Sequence, residues 1–127
     1  MAQLHVSFHS DVLDMNTAMN VNLPQKPRKS VHEDGVRIPT LYLLHGMSDN
    51  YTSWLRWTSV ERYAESAGIA VVMPEAGLSW YTDMAAGPAY RRFIGEEVVK
   101  VSRNLFPMLS HRYEDTWVAS LFAPVRV

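Results

Sequence analysis

The residues of this chain best placed to do chemistry follow one short apolar run. Leu41-Tyr42-Leu43-Leu44 leads directly into His45-Gly46-Met47-Ser48-Asp49-Asn50. The run has the β-friendly character of a strand buried on both faces, while Gly46, Ser48, Asp49 and Asn50 suit a sharp turn and a helix cap. In an open α/β sheet, ligands sit just beyond the carboxyl ends of the strands, so this loop marks a site without naming a reaction. A second candidate, Trp80-Tyr81-Thr82-Asp83, lies past the apolar run Ile69 to Pro74. Its aromatics would give apolar contact with a polar rim, the alternative being a small cluster packed under a loop. His5, His9, His32, His45 and His111 are scattered over different elements. A zinc site needs three or four convergent ligands, so no metal is expected, and the solvent-facing reading of His5 and His9 is preferred. There is no cysteine, which removes thiolate metal sites, disulfides and a Cys nucleophile. No cofactor is expected.

These loops need a scaffold. Residues 3 to 9 alternate, with Leu4, Val6 and Phe8 on one face, and Met19, Val21 and Leu23 form a second alternating set, predicting an N-terminal antiparallel hairpin that turns over Asp11 to Met15. Pro24 to Ser30 is a polar, proline-broken surface loop. Thr58 and Glu61 have capping-box spacing, which starts a helix whose apolar stripe is Val60, Tyr63, Ala64 and Ala67 and whose stop is Gly68. Ile69 to Pro74 reads as a central parallel strand. After the Glu75 to Ala86 loop, Pro88 opens a long helix with stripe Tyr90, Phe93, Ile94, Val98, Val101 and Leu105, ended by Pro107. Thr116 to Phe122 is a last strand.

At 127 residues with a 47% hydrophobic fraction the chain fits a single domain. Twelve basic against thirteen acidic residues leave a net charge of −1 and no basic stripe, so nucleic acid is not an expected partner. The start has no basic segment followed by an apolar one, and no apolar run approaches the ~18 residues of a membrane span. A soluble, cytoplasmic protein without a membrane partner is expected.

The ordered set of motifs resembles a family. Tyr42-Leu43-Leu44-His45-Gly46-Met47-Ser48, then Trp54-Leu55, Val60-Glu61-Arg62, Val71-Val72-Met73-Pro74 and Trp80-Tyr81-Thr82-Asp83 resemble the α/β-hydrolase esterases of the esterase D type, which include tributyrin esterases and S-formylglutathione hydrolases. The likeness runs from about residue 3 to Ala119. It implies the N-terminal half of an α/β-hydrolase fold: the hairpin, then parallel strands alternating with helices. It also implies a serine carboxylesterase lineage acting on short acyl esters. By match, the backbone N–H of Met47 would help hold the oxyanion of the tetrahedral intermediate, with His45 and Gly46 completing the loop. Trp80 and Tyr81 would line the substrate pocket.

The pattern breaks at the end. Family members follow this last strand with Gly-x-Ser-x-Gly, whose serine attacks the ester carbonyl. Here Thr116-Trp117-Val118-Ala119 keeps register but Ser120-Leu121-Phe122-Ala123-Pro124 follows, so Phe122 stands in the nucleophile's place. Sliding the register to Ser120 puts Val118 and Phe122 where both glycines belong. No later acid or base appears. The expectation is one partial domain over 1–127, truncated at the nucleophile elbow, with 120–127 an aberrant tail. Such a chain would be inactive alone. The alternatives are a fragment of S-formylglutathione hydrolase origin, a non-catalytic protein that self-associates or pairs with a hydrolase half through an exposed sheet edge, and a small free-standing ligand-binding domain.

Overall fold

The structure, a computed structural model, describes residues 1–25, 37–46, 49–76 and 89–120. Five strands form one mixed sheet in the order β1-β2-β4-β3-β5. β1 (Ala2–Ser10) and β2 (Met15–Leu23) are the expected hairpin, in register from Ala2 opposite Leu23 to Ser10 opposite Met15. The β1 side chains alternate between half-buried and exposed, as the Leu4, Val6, Phe8 spacing requires. Asp14 takes a left-handed φ of 52° in the turn, a conformation Asp tolerates better than most residues. The Glu97 carboxylate stabilises that turn from another element. It accepts from the Asp11 and Val12 amides at 2.9 and 3.1 Å and from the Ser10 hydroxyl.

β3 (Thr40–Leu44) and β4 (Ala70–Pro74) pair in parallel. Every residue of β4 is buried, which is why the run is continuously apolar. The expected central parallel strand is in fact parallel on one side only. Its other neighbour is β2, antiparallel from Met19 opposite Pro74 to Asn22 opposite Val71. The hairpin thus joins the sheet through the strand next to β3. β5 (Thr116–Ser120) runs parallel to β3, with Tyr42 opposite Val118 and Leu44 opposite Ser120. Residues 121 and 122 of the expected strand lie outside the described residues.

Helices cover both faces. α1 (Ser53–Trp57), which the periodicity did not reveal, and α2 (Val60–Ala67) lie on the side where Leu43, Val71 and Met73 point, packing Trp54, Leu55, Val60 and Ala64 there. α2 ends on Gly68 at φ 70°, the left-handed cap that glycine adopts without steric cost. The expected capping box does not form. Thr58 is the C-cap of α1 and its hydroxyl donates to the Trp54 carbonyl, while the Glu61 carboxylate accepts from Gln3 Nε2. Tyr63, 66% exposed, and Ala67, also exposed, drop out of the predicted stripe.

The opposite face holds the larger core. Met19, Val21, Tyr42, Leu44 and Val72 meet Phe93, Ile94, Val98 and Leu109. The long helix comprises α3 (Tyr90–Arg92), a π-helical segment (Phe93–Glu97) and α4 (Val98–Leu105). Its stripe is as predicted except at Leu105, which is half exposed. The buried Tyr42 hydroxyl donates to Ser102 Oγ at 2.7 Å, and Ser102 donates on to the Val99 carbonyl at 3.0 Å. Burial, the main effect, raises the Tyr42 pKa, so the phenol stays neutral and able to donate.

Candidate active site

β3 and β4, being parallel neighbours, release their loops at the same end of the sheet. Leu44 is the last residue of β3, and its carbonyl accepts the Trp54 indole N–H at 3.0 Å, which ties α1 to the strand end. His45 follows, 2% exposed. Its Nδ1 lies 2.8 Å from the Gly46 carbonyl, and its Nε2 accepts the Ala76 amide at 3.0 Å. Both contacts call for the same tautomer, with the proton on Nδ1. The Gly46 carbonyl also accepts the Asp49 amide at 3.3 Å, closing the turn that Gly46 and Asp49 predicted.

Glu75, the first residue after β4, puts Oε1 3.2 Å from His45 Nε2, and Oε2 accepts the Tyr51 amide at 3.4 Å. Burial, the largest effect on His45, opposes its charge. The Glu75 carboxylate, the Gly46 carbonyl and Asp49 together outweigh it and raise the pKa above the ordinary histidine value. Tyr90 is shifted up as well, by burial first and then by Glu75. Asn50 accepts from Thr52 N–H at 2.9 Å, and the Asn50 carbonyl accepts Ser53 N–H at 3.1 Å, which leads the loop into α1.

His45 and Gly46 therefore sit together where the sequence placed them. Met47, Trp80 and Tyr81 lie outside the described residues. Sequence reasoning missed Glu75 and the buried station of His45. The available signal was a lone carboxylate directly after a wholly apolar strand. His5 and His9 lie on the exposed face of β1, the first against the Tyr51 hydroxyl at 3.1 Å and the second against Asn16 Oδ1 at 3.1 Å.

The family model "Putative esterase" matches residues 10–121. The chain belongs to this esterase family. It is 33% identical over 125 residues to an acetyl esterase of Caldicellulosiruptor saccharolyticus, a match that takes 95% of this chain and 47% of the relative. Among solved structures it is similar to the fluorophosphonate-binding serine hydrolase FphF of Staphylococcus aureus, with a TM-score of 0.84 and 34% identity over 94% of this chain and 46% of that one. The S-formylglutathione hydrolase FrmB of the same organism gives a TM-score of 0.79 at 34% identity, with the same coverage. The chain spans about half the length of these esterase relatives. The mixed sheet with helices on both faces is a partial α/β-hydrolase fold.

Proposed function

We propose that this chain carries the oxyanion-loop half of a serine carboxylesterase acting on short acyl esters, with a thioester of the S-formylglutathione kind as the alternative substrate. The observation that carries the reading is the buried His45-Gly46 turn at the shared end of two parallel strands. In acyl transfer the carbonyl oxygen gains charge, and a preorganised N–H stabilises it, each such donor being worth about 2.7–4 kcal/mol. The Met47 N–H is assigned that role, and Trp80 and Tyr81 are assigned to the pocket. β5 brings Ser120 level with Leu44, but the sequence from there, Ser120-Leu121-Phe122-Ala123-Pro124, contains no Gly-x-Ser-x-Gly. We place residues 120–127 outside the family pattern, and the 127-residue polypeptide by itself is read as unable to form an acyl-enzyme.

A fusion tests this directly. Residues 1–119, continued by the second half of the Staphylococcus aureus hydrolase FphF, should hydrolyse p-nitrophenyl acetate or butyrate with saturable kinetics and be blocked by a fluorophosphonate. The unfused chain should match a buffer control. A fusion that melts cooperatively yet stays inert would overturn the reading, as would turnover by the unfused chain that survives repurification.

A second reading rests on β5, which has a strand neighbour on one side only among the described residues, with Trp117 48% exposed beside that edge. An edge of this kind is a template for pairing with another strand. It favours self-association or capture of a complementary half-domain.

A further inference from the structure

The hairpin meets the two helical layers differently. On the larger-core side Val21 and Leu23 pack among apolar neighbours, so the alternation of β2 turns Asn20 and Asn22 toward α1 and α2. There the joints are polar. Asn20 Nδ2 donates to the Tyr51 carbonyl at 3.5 Å, His5 Nε2 lies 3.1 Å from the Tyr51 hydroxyl, and Gln3 Nε2 donates to the Glu61 carboxylate. The Met1 ammonium lies 3.4 Å from Glu65 Oε2, which is itself buried and accepts no hydrogen bond among the described residues. Asn22 stands in this seam, wholly buried, and neither atom of its amide has a hydrogen-bond partner among the described residues.

A buried amide is costly to leave unpaired, so it calls for a partner. The sheet backbone is already spent in the ladder, because β2 is paired on both flanks, with Asn22 opposite Gln3 of β1 and Val71 of β4. Val71 is apolar, and the Gln3 amide nitrogen is committed to Glu61. The partner must accept from Nδ2 and also donate to Oδ1. A metal ion suits only the oxygen and a simple anion only the nitrogen, whereas water does both. We infer that Asn22 is an internal water site, the water being shared with the polar groups of this seam, Glu65 Oε2 among them. A cleft of about 450 Å³ bounded by Met1, Glu61, Glu65 and Ser66 gives the approach, since Glu61 also holds Gln3, the residue beside Asn22. Waters of this kind typically make about three hydrogen bonds to buried polar groups and belong to the folded structure.

The inference is independent of the esterase reading, and its test uses no ester. In the isotopically labelled full chain, the Asn22 side-chain amide protons should show cross-peaks to water in both nuclear Overhauser and rotating-frame spectra. The signs should be opposite in the two, which marks a water held in place. Proton exchange, or water passing over a surface, gives the same sign in both. Asn22→Leu replaces the amide with apolar atoms of similar size, and the water cross-peaks of the α2 amides over the seam should then vanish. Same-sign peaks, no peaks at all, or α2 water signals unchanged in the leucine variant would overturn the site. Should that variant not fold, the wild-type spectra decide alone. An inert fusion would sink the esterase reading without bearing on Asn22, and a dry Asn22 would leave an active fusion standing.

Discussion

At the scale of single residues, two demands meet on His45 Nε2. The Ala76 amide needs a lone pair there, and the Glu75 carboxylate needs a proton. Glu75 has the advantage as pH falls, because the folded-state pKa lies above that of the unfolded chain. The sign follows from linkage. A raised histidine pKa contributes stability that is fully present below the unfolded value of about 6.5 and is lost as pH rises through the folded value. Urea unfolding should therefore show a larger gap between wild type and His45→Gln at about pH 5.5 than at about pH 8.5. A gap constant across that range would remove Glu75 as the cause. Little of this was legible beforehand. Gly68 could be read because its left-handed cap is a local requirement, whereas His45 draws its partners from a different loop, and no spacing rule joins His45 to Glu75.

At the scale of elements, the long helix is interrupted by the π-helical turn Phe93–Glu97, which brings the Glu97 carboxylate to the hairpin turn. Such single-turn irregularities often accompany a specific job, and here the job is to satisfy amides that the turn leaves unpaired. Gly95 lies inside this segment with a negative φ, and a Cβ built on it meets nothing within 4 Å. Gly95→Ala should therefore stabilise the protein by about 0.5–1 kcal/mol, from helix propensity and a less flexible unfolded chain. Denaturant titration checks it, and destabilisation would show that the π turn depends on glycine. The strands and this helix were readable because alternation and 3.6-residue spacing are local signals. The capping box fails by register, since α2 starts at Val60 with Ser59 as its N-cap and the Thr58 hydroxyl accepts the Val60 amide at 3.2 Å while donating to the Trp54 carbonyl. Helix α1 is five residues long, too short to display a period.

At the scale of the molecule, helices shield both faces of the sheet, while among the described residues its rim has no strand neighbour beyond β5. Trp117 projects on the α2 side, in register with Leu41. If that rim pairs with copies of itself, sedimentation velocity should show association rising with concentration up to about 100 µM, and Trp117→Lys should restore the monomer. A wild-type monomer throughout would dispose of self-association through this edge. Fold class was legible from the order of elements, but sheet order was not. Hairpin pairing is announced by two adjacent alternating runs, whereas the junction of β2 with β4 is set by long-range packing. That order also imposes a timetable on folding. Leu4 meets Val21 across a short turn, so the hairpin can close in about 1–10 µs. Thr40 must wait for Ala70 on one flank and for Thr116 on the other, and parallel pairings across such loops form slowly. During synthesis the flank of β3 that receives β5 is thus the later of its two edges to find a partner, and until then it offers unpaired strand groups to any other chain.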